Sequence, residues 1–300
     1  RLSGGGKSNF PVVSALERLF LEQLQSFSLE DGAVSITHLN ETNAFNIESL
    51  SWNNHKERHQ GLGQLKVAEL AANSASFVID IKGSREDFEG VFYAKAEELD
   101  ISPWVSDLIK TKRPLTQSRA NFEVWADFTN SEIISVQAKL DNSLLEWGGG
   151  RAKTVTGITS GSLQVLPNTA NKQGGWNVRL DNLVVSSNGE TMTTDLIGSI
   201  APSGDVLVNT IKPVQVNPFL LLLPLFMDDT GEDEIRELDP KGELAILQIQ
   251  LHNGEPSLAA KVFDLQWNKT DKIPGLSSLN ADLFWYKNNG AIYLDSTDSV

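Results

Sequence analysis

The sequence predicts a mainly β protein made of repeated blocks of antiparallel strands, with a few short helices between the blocks. Apolar and polar residues alternate over most of the chain, which places every second side chain on one face of a strand. Segments with the helical period are few. The strands therefore either cover one another in a sandwich or barrel, or leave an apolar trough that needs an apolar occupant in water.

The helical period is strongest near the start of the chain. From Pro11 to Phe27 the apolar residues recur at i, i+3 and i+4, which places them on one face of a helix. Proline is well tolerated in the first turn of a helix, where its missing N–H has no partner to lose. We therefore expect an amphipathic helix from Pro11 to Phe27.

Alternating residues predict strands in three runs, at 33–99, 120–211 and 242–295. Within FVIDI, for example, Phe77, Ile79 and Ile81 share one face. The remaining expectations are a polar turn at Asn53–Gly61, separate strands at Ile133–Leu140 and Leu144–Trp147, and hairpin turns at the pairs Asn188–Gly189 and Asn289–Gly290.

The first two runs each end in an apolar segment that contains proline. Ile101–Ile109 reads ISPWVSDLI, and Asn217–Phe226 reads NPFLLLLPLF. We expect each segment to form a short helix that caps one block before the next begins. A membrane-spanning helix needs roughly 20 apolar residues, and Asn217–Phe226 is too short and is interrupted by Pro224.

Similar features recur in the same order along the chain. The tripeptides LSW, LEW and LQW end at Trp52, Trp147 and Trp267, and a polar turn and a strand with Gly and Leu follow each of them. Recurrence at this spacing predicts stacked structural repeats. The predicted division is a linker at 1–10, a first block at 11–111, a second block at 112–227 and the start of a third block at 228–300.

The composition excludes several classes of partner and chemistry. The net charge of −14, from 39 acidic and 25 basic residues, argues against binding nucleic acid or anionic lipid headgroups. The chain has no cysteine, so it has no disulfides and no thiol chemistry. It does not begin with Met, and we expect it to be an internal fragment of a larger protein.

No catalytic or metal signature is complete. GGGKS, at Gly4–Ser8, lacks the upstream glycine of a phosphate-binding loop, and HKERH, at His55–His59, has Lys56 where a zinc-protease motif has Glu. HKERH is predicted to be a solvated turn, and the acidic run from Asp228 to Glu234 a solvated, mobile loop rather than a calcium site. A carboxylate pair on distant strands, as glycosidases use, stays open.

Four segments carry a likeness to a known family: LSWNNHKERHQGLGQLKV, AEELDISPWVSDLI, GGWNVRLDNLVVSSNGE and PGLSSLNADLFWYKNNGAIYLDS. They resemble the YhdP branch of the AsmA-like family, which are large proteins of Gram-negative bacteria. The resemblance implies an elongated antiparallel sheet curled into a groove with an apolar inner face. It also implies a section of a bridge-like conduit that moves phospholipids between the inner and outer membranes and supports the outer-membrane barrier, without catalysis or a cofactor.

The resemblance also implies where the protein lies and what it contacts. We expect a periplasmic protein whose parent is tethered to the inner membrane by an anchor outside this chain. Its expected partners are phospholipid acyl chains and adjacent repeats of the parent protein. Ten apolar residues are candidates for contact with lipid in the groove: Phe77, Ile79, Ile81, Phe122, Val124, Val178, Leu180, Phe219, Leu221 and Leu222.

Two other functions stay open from the residues alone. Acidity, the glycosylation sequons at Asn40 and Asn268 and the absence of cysteine would suit an extracellular, adhesin-like β repeat. The tryptophans on predicted strands would suit a domain that binds or hydrolyses carbohydrate.

Overall fold

A computed structural model of the chain describes residues 18–38, 41–67, 74–84, 86–102, 114–148, 154–169, 174–187, 190–220, 229–252, 255–286 and 289–294. These residues form a single antiparallel sheet of sixteen strands that is not closed. The first eight strands are β1 (Ser26–His38), β2 (Glu41–His55), β3 (Arg58–Val67), β4 (Ser74–Ser84), β5 (Asp87–Leu99), β6 (Leu115–Thr129), β7 (Glu132–Trp147) and β8 (Thr154–Pro167). The others are β9 (Trp176–Ser187), β10 (Glu190–Ile200), β11 (Val206–Thr210), β12 (Val214–Gln215), β13 (Lys241–His252), β14 (Glu255–Gln266), β15 (Ala281–Tyr286) and β16 (Asn289–Leu294).

The strands follow one another across the sheet in chain order, except that β12 pairs with β13 alone and β13 lies beside β11. The main contacts between strands likewise join sheet neighbours. Tight hairpins make this order possible, because antiparallel neighbours need only a two-residue connection. Between β6 and β7 the loop residues Asn130 and Ser131 have φ of 52° and 59°, as the favoured hairpin turn requires at both central positions.

The mainly β prediction, with an elongated sheet and few helices, is confirmed. The predicted blocks run into one another within this sheet, through the pairs β5–β6 and β11–β13. The division of the chain into blocks stays a prediction. The predicted separation of Ile133–Leu140 from Leu144–Trp147 is wrong, because both lie in β7, which is paired with β8 from Val136 to Trp147.

The predicted helix from Pro11 to Phe27 is wrong at its C-terminal end, and residues 11–17 lie outside the described residues. A single π-helical turn, α1, spans Leu19–Gln23, and the backbone is extended from Leu24 onward. Phe27 already belongs to β1, opposite Trp52. The helix ends because the side-chain amide of Asn54 on β2 bonds the carbonyls of Phe20 and Leu24, and the N–H of Asn54 bonds the carbonyl of Gln25.

The acidic run is a helix where a loop was predicted. After the helical turn α2 (Val216–Phe219), helix α3 spans Asp229–Leu238, and Asp228 lies outside the described residues. Acidic residues in the first turns of a helix interact favourably with its dipole, and Glu234 forms an ion pair of 2.5 Å with Lys272. Of the two predicted connector helices, the structure describes Ile101 and Ser102 in one and Asn217 to Leu220 in the other.

A hydrogen-bonded carboxylate fixes the junction between β5 and β6. Oδ1 of Asp100 accepts bonds from the N–H of Ser102 and from both the N–H and the hydroxyl of Ser118, at 2.9–3.1 Å. The hydroxyl of Ser118 in turn accepts a bond from the N–H of Ile101. Burial raises the pKa of Asp100, but these hydrogen bonds outweigh burial and hold its pKa below the usual value. The charged form of Asp100 therefore stabilises the junction.

Three bulges in the sheet carry the same contact. In each, a non-glycine residue has a positive φ. Its backbone N–H donates a hydrogen bond to the side-chain oxygen of an Asn or Asp, which lies in the next strand or immediately before that strand. Bulges bend a strand and increase its twist, so these contacts hold the sheet in a curved form. The pairs are Glu98 with Asn121 at 2.9 Å, Asn182 with Asp195 at 2.7 Å, and Asp264 with Asn280 at 3.0 Å.

Over most of the sheet, one face is more covered than the other. Ile81 is 7% exposed on one face, whereas Val78 and Val91 on the opposite face are 41% and 51% exposed. A flat single layer would leave both faces equally open to water. We refer to the covered face as the inner face and to the other as the outer face.

Candidate functional site

The structure places seven of the ten candidate residues together on the inner face. Phe77 lies opposite Ala94, and Ala94 lies opposite Val124. Phe122 lies opposite Ala96 on the same face. The seven are Phe77, Ile79, Ile81, Phe122, Val124, Val178 and Leu180. Leu221, Leu222 and the side chain of Phe219 lie outside the described residues, although Phe219 ends the helical turn α2.

These residues belong to an apolar row that crosses the whole sheet. Each member lies directly opposite the next on the neighbouring strand, and every member is apolar or glycine. At roughly 4.8 Å between neighbouring strands, the row is about 65–70 Å long. It runs through Phe27, Trp52, Gly61, Ile79, Phe92, Ala126, Val136, Val165, Val178, Gly198, Val208, Ile249, Leu258, Trp285 and Gly290.

Glycine in this row makes room for an aromatic ring at one end. Trp52 lies opposite Gly61, and a Cβ on Gly61 would stand 2.6 Å from the indole ring. The indole N–H donates to the carbonyl of Phe20 at 2.8 Å, and the rings of Phe20 and Trp52 are 5.0 Å apart. The turn α1 thus covers the inner face where the described sheet begins.

The outer face carries the charged pairs. Arg58 pairs with Asp80 at 2.6 Å, Lys95 with Glu97 at 2.6 Å, and Arg179 with Asp181 at 2.7 Å. The bond from Arg58 is the largest influence on Asp80 and holds the pKa of that carboxyl below its usual value. These three pairs therefore lie on the side opposite the apolar row.

The segment Ile211–Leu220, which we call the strap, continues the line of β11 between β10 and β13, and its residues Val214 and Gln215 pair with β13 as β12. The N–H of Ile211 donates to the backbone carbonyl of Asp195, and the Lys212 ammonium lies 2.5 Å from the Asp195 carboxylate. That pair and the N–H of Asn182 hold the pKa of Asp195 below its usual value. Further along the strap, Val214 is buried against β13 and β14.

A cavity of about 80 Å³ lies on the inner face beside the strap. Its lining comes from β9, β10, β11, β12 and β13 and is almost entirely aliphatic. Val208 and Ile249 belong both to this lining and to the apolar row. The cavity is therefore a recess of the same apolar surface.

One buried polar atom in this lining lacks a partner. Thr194 on β10 is 5% exposed, and its hydroxyl has no hydrogen bond to any described residue. An unsatisfied buried hydroxyl costs about 1–3 kcal/mol. The other lining hydroxyl, of Thr210, accepts a bond from the N–H of Leu247 at 3.1 Å. The recess thus combines an apolar wall with the Thr194 hydroxyl, which has no hydrogen-bond partner among the described residues.

The predicted HKERH turn is confirmed, since Lys56 and Glu57 connect β2 to β3. The expectation that the whole motif is solvated is wrong for His59, which is buried on the inner face. Its ring nitrogens lie 2.7 Å from Oδ1 of Asn54 and 2.9 Å from the carbonyl of Gly83. The pairing of β2 with β3 places His59 on the inner face and His55 on the outer face.

Among the described residues, no three His, Asp or Glu side chains converge on a possible metal position. In the same part of the chain, none of the helices has the length and apolar character needed to cross a membrane.

The recess beside the strap was missed by the sequence reasoning. Its threonines look like ordinary outward residues in the string TMTTDL, and strand alternation alone gives no reason to place Thr194 in a pocket. The spacing of residues could have revealed it. Met192, Thr194 and Leu196 lie two residues apart along the strand, so Thr194 shares a face with two apolar residues.

Comparison with known proteins gives a family and one relative. The family model described as "YhdP protein" matches residues 3–300. The chain is 21% identical over 291 residues to a protein of Escherichia coli (strain K12) described as "Intermembrane phospholipid transporter YhdP". The alignment covers 94% of this chain and 21% of that relative, so the chain spans about a fifth of its length. No solved structure matches the chain.

Proposed function

The chain belongs to the YhdP protein family, and from this premise we propose that it is a section of a conduit that carries phospholipids between two membranes. The observation that supports the proposal is the apolar row, which continues from β1 to β16 without a charged or polar member. The relative described as an intermembrane phospholipid transporter also supports it.

The row provides a physical mechanism for transport. An acyl chain that lies against the inner face keeps its methylene groups out of water, at about 0.8 kcal/mol per buried CH₂. Because each strand of the row offers an apolar residue and none offers a charged or strongly polar one, the free energy of the acyl chain changes little from one strand to the next. The headgroup stays in water at the open side of the sheet, away from the charged pairs of the outer face. No step in this mechanism requires catalysis or a cofactor.

The finer parts of the proposal concern the parent protein. We propose a periplasmic location in a Gram-negative bacterium, with the parent tethered to the inner membrane through an anchor outside this chain. Adjacent repeats of the parent would continue the groove, and the transport would support the barrier of the outer membrane. These parts follow from the family resemblance, and the chain spans about a fifth of the relative.

Alternation within one strand supplies a direct test. Ile79 lies on the inner face and Val78 on the outer face of β4, and Val178 and Arg179 have the same relation on β9. A photo-crosslinking amino acid placed at each position, with lipid detected by mass spectrometry, compares sites one residue apart. We expect phospholipid adducts at 79 and 178 and few at 78 and 179. Equal labelling of both faces, or none at any position, would contradict the proposal.

The two alternatives find no specific support in the fold. An adhesin-like repeat predicts inner faces packed against opposing strands, whereas the described strands form a single layer. A carbohydrate site predicts exposed tryptophan beside a pair of carboxylates. Trp125 is exposed on the outer face, but its ring is tilted against the ring of Tyr93, with 5.5 Å between their centroids.

A further inference from the structure

We propose that the recess beside the strap binds the ester end of one phospholipid acyl chain, and that the Thr194 hydroxyl donates a hydrogen bond to the ester carbonyl. This inference rests on the proposed function, because it assumes that phospholipid reaches the inner face. It adds a fixed stopping point to a path that is otherwise uniform.

The size and lining of the recess select an apolar occupant. A single water needs about 10–15 Å³ of such space and two to four polar partners. The recess measures about 80 Å³ and offers almost entirely aliphatic walls, from residues such as Leu183, Met192 and Leu247. Several waters would fit by volume but would find few hydrogen bonds. A hydrocarbon segment fits by both volume and chemistry.

Access to the recess comes from the groove itself. Val208 and Ile249 line the recess and are also consecutive members of the apolar row. An acyl chain that lies along the row at β11 and β13 is therefore already in contact with the recess wall. No movement of the sheet is needed to bring the two together.

Thr194 needs an acceptor that the surrounding residues do not supply. The neighbouring Asp195 carboxylate already accepts the N–H of Asn182 and pairs with Lys212. The Thr210 hydroxyl accepts a bond from the backbone N–H of Leu247 and makes none with the Thr194 hydroxyl. An ester carbonyl provides a strong acceptor and brings no donor that would itself need a partner in an apolar site. It is the polar group nearest to the hydrocarbon in a phospholipid.

A comparison of ester and ether lipids tests the contact. The probes are dioleoyl phosphatidylethanolamine, whose headgroup is zwitterionic, and its dialkyl ether analogue, which has the same headgroup and lacks the ester carbonyls. Their affinities for the delipidated chain are measured by native mass spectrometry. We expect the wild-type chain to bind the ester lipid about fivefold more tightly, which is the worth of one net hydrogen bond.

Three substitutions complete the test. Thr194→Val keeps the shape of the side chain and removes the hydroxyl, so it should abolish the preference for the ester lipid while ether-lipid binding stays unchanged. The lipid-free variant should melt at the same or a higher temperature, because an unsatisfied hydroxyl is lost. Thr194→Ser should retain the preference, and Thr193→Val, on the exposed outer side of the same strand, should not affect it.

The outcomes separate this inference from the proposed function. Equal binding of both lipids by the wild-type chain would overturn the Thr194 contact and leave the conduit standing. A preference that survives in Thr194→Val would also overturn the contact. Failure of both lipids to bind at all would overturn the conduit, and the inference with it.

Discussion

A charge placed in the apolar row should block the binding of lipid, whereas the same charge one residue away should not. Val165 on β8 lies between Val136 and Val178 in the row, and it is half-buried. Gln164, its neighbour in the chain, is exposed on the outer face. The pair Val165→Glu and Gln164→Glu therefore adds one negative charge to either face of the same strand.

The size of the effect follows from the spacing of the strands. A hydrated carboxylate occupies about one strand spacing, roughly 4.8 Å, and an acyl chain cannot lie against that stretch of the inner face. The loss of contact for about three methylene groups costs about 2.4 kcal/mol, which corresponds to an affinity about 50-fold weaker. Gln164→Glu changes no contact of the inner face, so its affinity should stay within about twofold of wild type.

Binding of a fluorescent phospholipid to the delipidated chain measures both affinities. Val165→Gln serves as a further control, because it has nearly the size of Glu without the charge and should show an intermediate loss. Thermal melting must show that the three variants remain folded. If folded Val165→Glu binds as tightly as Gln164→Glu, the apolar row is not the surface that lipid contacts, and the reasoning is refuted.

Three further predictions concern stability. Gly61→Val should lower the free energy of unfolding by about 1–3 kcal/mol, because the new side chain would collide with Trp52; a urea melt unchanged from wild type would contradict this. Asp100→Asn should lower the melting temperature at pH 7. The pKa of Asp100 is lower in the folded state than the unfolded-state pKa of about 3.9. Asp100 therefore stabilises the fold fully above the unfolded-state pKa, and this stabilisation is lost as the pH falls through the folded-state pKa. The difference between wild type and Asp100→Asn should therefore shrink below pH 4, and a constant difference would disprove this role. Lys272→Met should leave the melting temperature unchanged, because its ion pair with Glu234 is exposed to water; a clear drop would show that the pair stabilises helix α3.

Strand alternation predicted the inner face well where the strands are regular. Phe77, Ile79 and Ile81 lie on one face as expected, and so do Phe122 and Val124, because a period of two needs no knowledge of tertiary structure. The curled, single-layer sheet was reached through the family resemblance, since alternation alone left a sandwich or a barrel open.

Bulges limited the prediction elsewhere. In β9 the positive-φ residue Asn182 adds one residue to the strand, so the inner face passes from Leu180 to Leu183 and not to Asn182. In the run NLVVSS the three apolar residues are consecutive, so the sequence does not show which of them face inward after the bulge. Leu183 and Val185, which line the recess, were hidden for this reason.

Helix boundaries were missed because distant side chains decide them. The carbonyls of Phe20 and Leu24 are bonded by Asn54, which lies about 30 residues away in the sequence. The helical periodicity of the segment from Pro11 to Phe27 gives no indication that Asn54 will bond these carbonyls. In the acidic run, the density of charge favours a loop prediction, although Glu and Arg are good helix formers.

The order of the strands determines how the protein should come apart. Because the main contacts join each strand to its immediate neighbours, the free energy of unfolding is distributed along a line, with no single centre. Opening at β16, whose described residues are all exposed, removes little support from β7 or β8. Amide hydrogen exchange should therefore slow gradually from β16 toward the middle of the sheet, and denaturation should be spread over several steps. A damaged hairpin would open a gap in the sheet while the segments on either side keep their structure.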